Sequence, residues 1–313
     1  MRNTSTKSST SEQELPEVEV LLATFNGEPF ISEFLDSLTR QVGVKIHLRV
    51  SDDGSTDETL RIVQSYQNNF QSCLIIKGPC AGPSTNFFSL IDRATFDFIA
   101  LADQDDVWFP EHLINSVRRL KGDANPLTMT FCQVLEVKSA STKQGKIWPN
   151  ISSPPEFHEF FFQNFSRGCT IVLKRELADL ISRKDRDHAI MHDWWIYLVA
   201  KSCGSTIFNS EPEIKYRIHE NNAVGNGPNF PTRLSKFLIN SRHGKWAPWD
   251  QLKQIQFQFQ DIMLPQACAD LIWLFELPNL QFRNKLFQIF FSGRRLRKSF
   301  LSNVLVKFYL LLR

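Results

Sequence analysis

A chain of 313 residues with 42% hydrophobic and 22% charged content can bury one large α/β domain with an appendage, or two modest domains. Its formal net charge of +3 is too small to argue for nucleic acid, and six cysteines without C-x-x-C spacing speak against a disulfide framework or a zinc site. Residues 1–16 are polar, rich in Ser and Thr and lack an apolar h-region, which reads as a disordered leader, and no apolar run reaches the ~18 residues of a membrane span.

Residues 18–23 form a short apolar, β-branched run that ends in Thr24-Phe25-Asn26-Gly27, a buried strand followed by a turn. Pro29 suits a first helical position, and Phe30, Ile31, Phe34, Leu35 and Leu38 follow at helical spacing. Residues 45–50 predict a second strand, running into Ser51-Asp52-Asp53-Gly54-Ser55-Thr56-Asp57-Glu58, where Ser55 and Glu58 have the spacing of a capping box. A third strand is expected at 73–76, then a helix capped by Ser84 and carrying Phe87, Phe88, Leu90 and Ile91. Residues 96–102 predict a fourth strand, and Pro110 the start of another helix.

Farther on, 127–137 reads as a strand, 138–155 as a flexible insert, and the aromatic stretch 157–165 as a helix on the sheet edge. Gly168 opens a strand. Met191-His192-Asp193-Trp194-Trp195 starts an apolar helix, and residues 214–219 close the domain as strand and loop. Alternating strands and helices imply parallel strands with crossover helices, whose ligands bind beyond the carboxyl ends of the strands. Thr24-Phe25-Asn26, Asp52-Asp53 and Asp103-Gln104-Asp105 all fall at such ends.

Asp103-Gln104-Asp105-Asp106 carries the most chemistry. Three carboxylates at the end of a buried strand repel one another and are costly to desolvate without a cation. A hard divalent ion, Mg²⁺ or Mn²⁺, carrying substrate phosphate is the simplest remedy. A solvated acidic turn is the plain alternative for any lone D-x-D.

Five motifs together resemble the family-2 glycosyltransferases of the GT-A fold, in the bacterial rhamnosyltransferase-like branch. They are residues 22–27 (LATFNG), 51–57 (SDDGSTD), 103–108 (DQDDVW), 192–195 (HDWW) and 216–222 (YRIHENN), and the likeness covers about 17–225. The resemblance implies an inverting transferase that moves a sugar from a UDP- or dTDP-linked donor to a hydroxyl of a surface polysaccharide, lipid-linked in this reading. It implies a nucleotide pocket at Thr24, Phe25, Asn26, Asp52 and Asp53, with Asn86 and Gln104 lining the donor site. Asp103 and Asp105 match the D-x-D that holds Mn²⁺ or Mg²⁺, and Asp103 also faces the donor. Asp193 matches the catalytic base, with His192 and the Trp pair walling the site from water. Arg217 and His219 fall where the family places an R-x-H segment near the diphosphate. Gly168, Cys169 and Thr170 match a segment that approaches the sugar closely. Asp106 either orients ligands from behind or caps the helix at Pro110.

Residues 283–313 contain no Asp or Glu but many Arg and Lys, beside Leu296, Phe300, Val304, Phe308 and Leu311 at helical spacing. Such a basic amphipathic helix suits an anionic membrane surface; an oligomer interface and a nucleic-acid patch are the competing readings. The expected organisation is therefore a leader at 1–16, a GT-A domain at 17–225 and a helical region at 226–313, in a cytoplasmic protein peripheral to the inner face of the cell membrane. The other functional classes are a nucleotidyltransferase acting on sugar phosphates, which would need a Gly-rich phosphate loop after the first strand, and a non-catalytic nucleotide-sugar-binding protein. A dehydrogenase is disfavoured because no G-x-G-x-x-G follows a strand.

Overall fold

The structure, a computed structural model, describes residues 14–219 and 247–312. The expected leader lies almost wholly outside them, as do Glu220, Asn221 and Asn222 of the last motif. Nine strands form one sheet: β1 (Glu17–Thr24), β2 (Lys45–Asp52), β3 (Ser72–Lys77), β4 (Phe98–Asp103), β5 (Val107–Trp108), β6 (Thr128–Val137), β7 (Lys146–Trp148), β8 (Val172–Lys174) and β9 (Ser205–Arg217). Their order is β3-β2-β1-β4-β8-β6-β9-β5, with β7 added on β6. The first four pair in parallel, as the strand–helix rhythm predicts. β8 runs antiparallel between β4 and β6, and β9 returns parallel to β6. The result is an α/β fold with helices on both faces of the sheet.

Period-two alternation divides the strands between two cores. Val18, Val20 and Leu22 of β1 face one side with α1 (Ile31–Thr39) and α4 (His112–Lys121), while Leu21 faces the other. In β4, Ala100 and Ala102 join the first core, Ile99 and Leu101 the second. That second core also takes α3 (Pro83–Ile91), α5 (Arg175–Ser182) and α6 (His192–Cys203). α6 is buried nearly all round because α7 (Ala247–Phe259) and α8 (Pro265–Glu276) pack over it, through Trp249, Leu252, Ile255 and Leu271. A helix apolar on every side is stable only when it is covered in this way.

Several local expectations are corrected. The capping box at Ser55 and Glu58 does not form: α2 (Thr59–Ser65) has no side-chain cap, and the Ser55 hydroxyl donates to Asp52 instead. Ser84 lies inside α3, whose N-cap is Gly82 at φ +86°, a left-handed conformation that glycine adopts without strain. Pro29 and Pro110 each sit in a turn two residues before their helices. The stretch 157–165 holds only a 3-10 turn, Phe157–Phe161, with its rings in the second core. The insert at 138–155 contains β7, registered on β6 through Val134–Trp148 and Glu136–Lys146. Gly168 opens a 3-10 turn, and the strand begins four residues later at Val172.

The C-terminal helices are α9 (Phe282–Phe291) and α10 (Phe300–Leu312). Leu296 is not part of the latter. It is buried in the connecting loop, where the Asn303 side chain accepts its backbone N–H. The inward face of α10 is Val306 and Leu310, so Phe300 and Phe308 point outward. Much of the expected basic face is used internally. Lys285 and Lys307 are buried, Arg294 pairs with Asp270 at 3.1 Å, and Lys298 donates to the Asn150 carbonyl.

Candidate active site

Strand register builds the first wall of the site. Thr24 lies opposite Asp52, and Ala23 opposite Asp103, so three strand ends finish at one level. The loops beyond them open on a cleft of about 1140 Å³. Asp52 is buried and anchors this wall, accepting from Thr24 Oγ1 at 2.9 Å, from the N–H groups of Gly54 and Ser55 at 3.0 and 2.8 Å, and from the Ser55 hydroxyl. Asn26 ties the first loop to the second: its N–H donates to Ser55 Oγ at 2.9 Å and its side-chain oxygen accepts from Thr56 N–H at 2.9 Å. The Gln104 amide clamps the Phe25 backbone, accepting its N–H at 3.1 Å and donating to its carbonyl at 2.9 Å. This fixes Phe25, 55% exposed, at the mouth. Asp53 is oriented by the Cys80 N–H at 3.1 Å.

The acidic turn follows β4. Asp103 and Asp105 both line the cleft, and Asp105 Oδ2 meets His219 Nε2 at 2.7 Å. Burial, reinforced by the charges of Asp105 and Asp193 and opposed by Arg167, raises the Asp103 pKa to about 8. A carboxyl so reluctant to ionise beside a second one fits a hard, oxygen-seeking dication, so the residues present suit Mn²⁺ or Mg²⁺. Asp106 behaves differently. It is fully buried, accepts the Arg217 N–H at 3.1 Å, and is held above the usual carboxylate range by burial and its two acidic neighbours. It does not cap the following helix and does not line the cleft. Its closest ligand-type neighbours include the Cys169 thiol, a soft donor.

The second wall comes from β6, β7, β9 and the start of α6. Arg167 lies 3.6 Å from the Tyr216 ring centroid and 4.3 Å from that of Trp148, and pairs with Glu136 at 2.6 Å. All four line the cleft. Asp193 lies in the first turn of α6, with Oδ1 accepting the Trp194 N–H at 2.7 Å. Burial raises its pKa to about 6, against the lowering effect of hydrogen bonds from Trp194, Asn164 and Gly168.

The cleft thus brings together Thr24, Phe25, Asn26, Asp53, Asn86, Asp103, Gln104, Asp105, Asp193 and His219, contributed by segments up to 195 residues apart. Two expected residues lie elsewhere. Asp52 is enclosed by its own turn, and Arg217 packs over the Phe30 ring at 4.9 Å and pairs with Glu33. Of the expected Trp pair, Trp194 lines the cleft while Trp195 is in the core. Gly168 lines it; Cys169 and Thr170 are buried behind. Sequence reasoning missed Glu136, Trp148, Asn164 and Arg167. The one available signal was an isolated Trp-Pro within a polar stretch otherwise read as flexible.

The family model described as glycosyl transferase family 2 matches residues 19–181. The dTDP-rhamnosyl transferase RfbG of Shigella flexneri is 31% identical over 238 residues, covering 72% of this chain and 80% of that protein. An uncharacterized glycosyltransferase of Rickettsia typhi is 26% identical, covering 66% of this chain and just under two thirds, 65%, of its own length. Among solved structures, S. aureus TarS in complex with UDP-GlcNAc aligns with a TM-score of 0.57 at 15% identity, over 87% of this chain and 78% of that one. The mannosyltransferase PcManGT from Pyrobaculum calidifontis, in complex with GDP-Man and Mn²⁺, aligns with a TM-score of 0.50 over 95% and 86%. At such identities these structures establish a shared GT-A fold.

Proposed function

Because this chain belongs to glycosyl transferase family 2 and is a glycosyltransferase, we propose that it moves a sugar from a UDP- or dTDP-linked donor to an acceptor hydroxyl with inversion. The observation that carries this reading is the convergence of Asp53, Asp103, Asp105 and Asp193 on one cleft. Phe25 offers an aromatic face to a nucleobase, and Asp53 an acceptor for the N3–H of uracil or thymine. Thr24, Asn26, Asp52 and Gln104 hold that pocket's shape through the hydrogen bonds described above, and Asn86 borders it from α3.

Asp103 and Asp105 would hold Mn²⁺ or Mg²⁺, which when bound offsets the charge of the departing nucleoside diphosphate. Asp193 accepts the proton of the acceptor hydroxyl as its oxygen bonds to the sugar carbon and the carbon–phosphate oxygen bond breaks. Its raised pKa suits that task, since a base near neutrality both accepts a proton readily and is ionised at working pH. His219 orients Asp105. Arg217 packs over Phe30 and pairs with Glu33 of α1, bracing the edge of the cleft from behind. The test is release of nucleoside diphosphate from UDP-GlcNAc, dTDP-rhamnose and related donors in Mn²⁺. Pyrophosphate release, or binding without turnover, would contradict the reading.

For the acceptor we favour a glycan carried on lipid at the inner face of the cell membrane. No helix among the described residues is long and apolar enough to cross a membrane. What supports surface attachment is the exposure of Phe282, Phe287, Phe291, Phe300, Leu301 and Leu312 on α9 and α10, beside exposed Arg283 and Arg295 and without an acidic side chain from 283 onward. With several lysines occupied internally, aromatic insertion contributes more to this reading than charge does. Deleting the helices would uncover core residues such as Ile289 and Leu310, so point changes are the better probe. Phe287→Asp with Phe291→Asp should abolish flotation with phosphatidylglycerol vesicles while leaving donor turnover intact; unchanged flotation would contradict the membrane assignment.

A further inference from the structure

His192 is 4% exposed and lines the cleft, yet neither of its ring nitrogens has a hydrogen-bond partner among the described residues. A buried polar atom left unmatched costs roughly 1–3 kcal/mol, so two on one ring call for an explanation. The ring is held in place. It stacks on Phe87 of α3 with centroids 4.1 Å apart and planes 21° apart, and it begins α6 immediately before Asp193. Gly168 packs against Nε2, and a Cβ at that position would lie 2.6 Å from it, so the ring sits here only because residue 168 has no side chain. Next to Phe87, Asn86 is 1% exposed: its Nδ2 donates to the Ser51 carbonyl at 3.0 Å, and its Oδ1 has no partner among the described residues. One stretch of wall therefore carries three unmatched polar atoms.

We propose that His192 is a specificity-determining residue of the transfer reaction, its imidazole recognising a hydroxyl of the donor's sugar. This rests on the reading of the cleft as a nucleotide-sugar site. Burial lowers the imidazole pKa to about 3, so the ring is neutral at working pH and offers one N–H donor and one lone pair. A sugar hydroxyl can serve either nitrogen, accepting from the N–H or donating to the lone pair, whereas an ionised phosphate can serve only the N–H. The donor's sugar, rather than the acceptor's, is the one expected here because the ring, though carried by α6, stacks on Phe87 of α3. That helix starts at the Gly82–Pro83 loop on the Asp53 side of the cleft. Asn86 Oδ1 adds an acceptor for a neighbouring hydroxyl. Sites built to hydrogen-bond a hydroxyl reject analogues that lack it, because the protein's own polar groups are then left unpaired.

The experiment measures Kd for UDP, dTDP, UDP-GlcNAc and dTDP-rhamnose in Mn²⁺ on wild-type protein, His192→Phe and His192→Gln. Phe preserves the stack on Phe87 and removes both nitrogens. It should weaken binding of the preferred nucleotide sugar about tenfold or more, leave the parent nucleotide within twofold, and melt no lower than wild type. His192→Gln should recover part of the loss. Equal weakening of nucleotide and nucleotide sugar, or no weakening of either, overturns the assignment. Wild-type protein that binds none of the four overturns the nucleotide-sugar reading itself, a result separable from a failure confined to His192.

Discussion

The two walls of the cleft are built on opposite plans. On the first, at the ends of β1, β2 and β4, most polar side chains are satisfied by one another: Asp52 by four donors, Asn26 by the second loop, Gln104 by the Phe25 backbone. On the second, at the start of α6, Asp193 is harder to ionise than an ordinary carboxyl and His192 carries ring nitrogens unmatched among the described residues, while Asp103 and Asn86 are the exceptions at the margin of the first wall. A wall whose hydrogen bonds close on themselves sets shape, whereas a wall that leaves groups under electrostatic stress or unpaired is prepared for something to bind or react there. The comparison teaches that residues of equally recognisable motifs divide between shaping and reacting roles within one site.

The largest expected effect sharpens that division. Asp193→Asn should reduce kcat by about 10²–10⁴-fold while nucleotide affinity stays unchanged, read by steady-state kinetics beside calorimetry. Asp105→Ala should weaken Mn²⁺-dependent donor binding by more than the roughly 10–100-fold cost of losing an outer partner of a metal ligand, and leave metal-free nucleotide binding nearly unaltered.

A smaller effect concerns pH. Burial raises the pKa of Asp193, so its base form is lost as pH falls through about 6. The kcat/KM profile should drop on the acid side with a midpoint near that value, losing about tenfold one unit below it. A flat profile down to pH 5 would remove Asp193 from the role.

The first wall should answer differently. Asp52→Ala leaves the N–H groups of Gly54 and Ser55 and two hydroxyls without their acceptor, which should cost about 1–3 kcal/mol of stability. That corresponds to a fall in melting temperature of about 2–4 °C per kcal/mol, measured by calorimetry. If this variant instead kept wild-type stability and lost only donor affinity, the division between a shaping wall and a reacting wall would break.

The parallel half of the fold was legible because β1 to β4 announce themselves as short β-branched runs ending in polar turns, with α1 and α3 at helical period between them. The ends of those strands then located the first wall of the cleft. The helix caps were misread because Ser55 has a stronger local acceptor in Asp52 than in a helix backbone, a choice that only the turn's geometry decides. β7 and Trp148 escaped notice because a three-residue strand earns its stability from pairing on β6 rather than from its own pattern. Arg167 was invisible for a related reason. Nothing in its neighbours along the chain signals that Trp148 and Tyr216 will enclose it.

The most direct measurement is a crystal structure with nucleoside diphosphate and Mn²⁺ bound. The account predicts the base against Phe25 and Asp53, the diphosphate and metal at Asp103 and Asp105, and Asp193 facing the space beyond the terminal phosphate. Nucleotide bound away from these four carboxylates would contradict it.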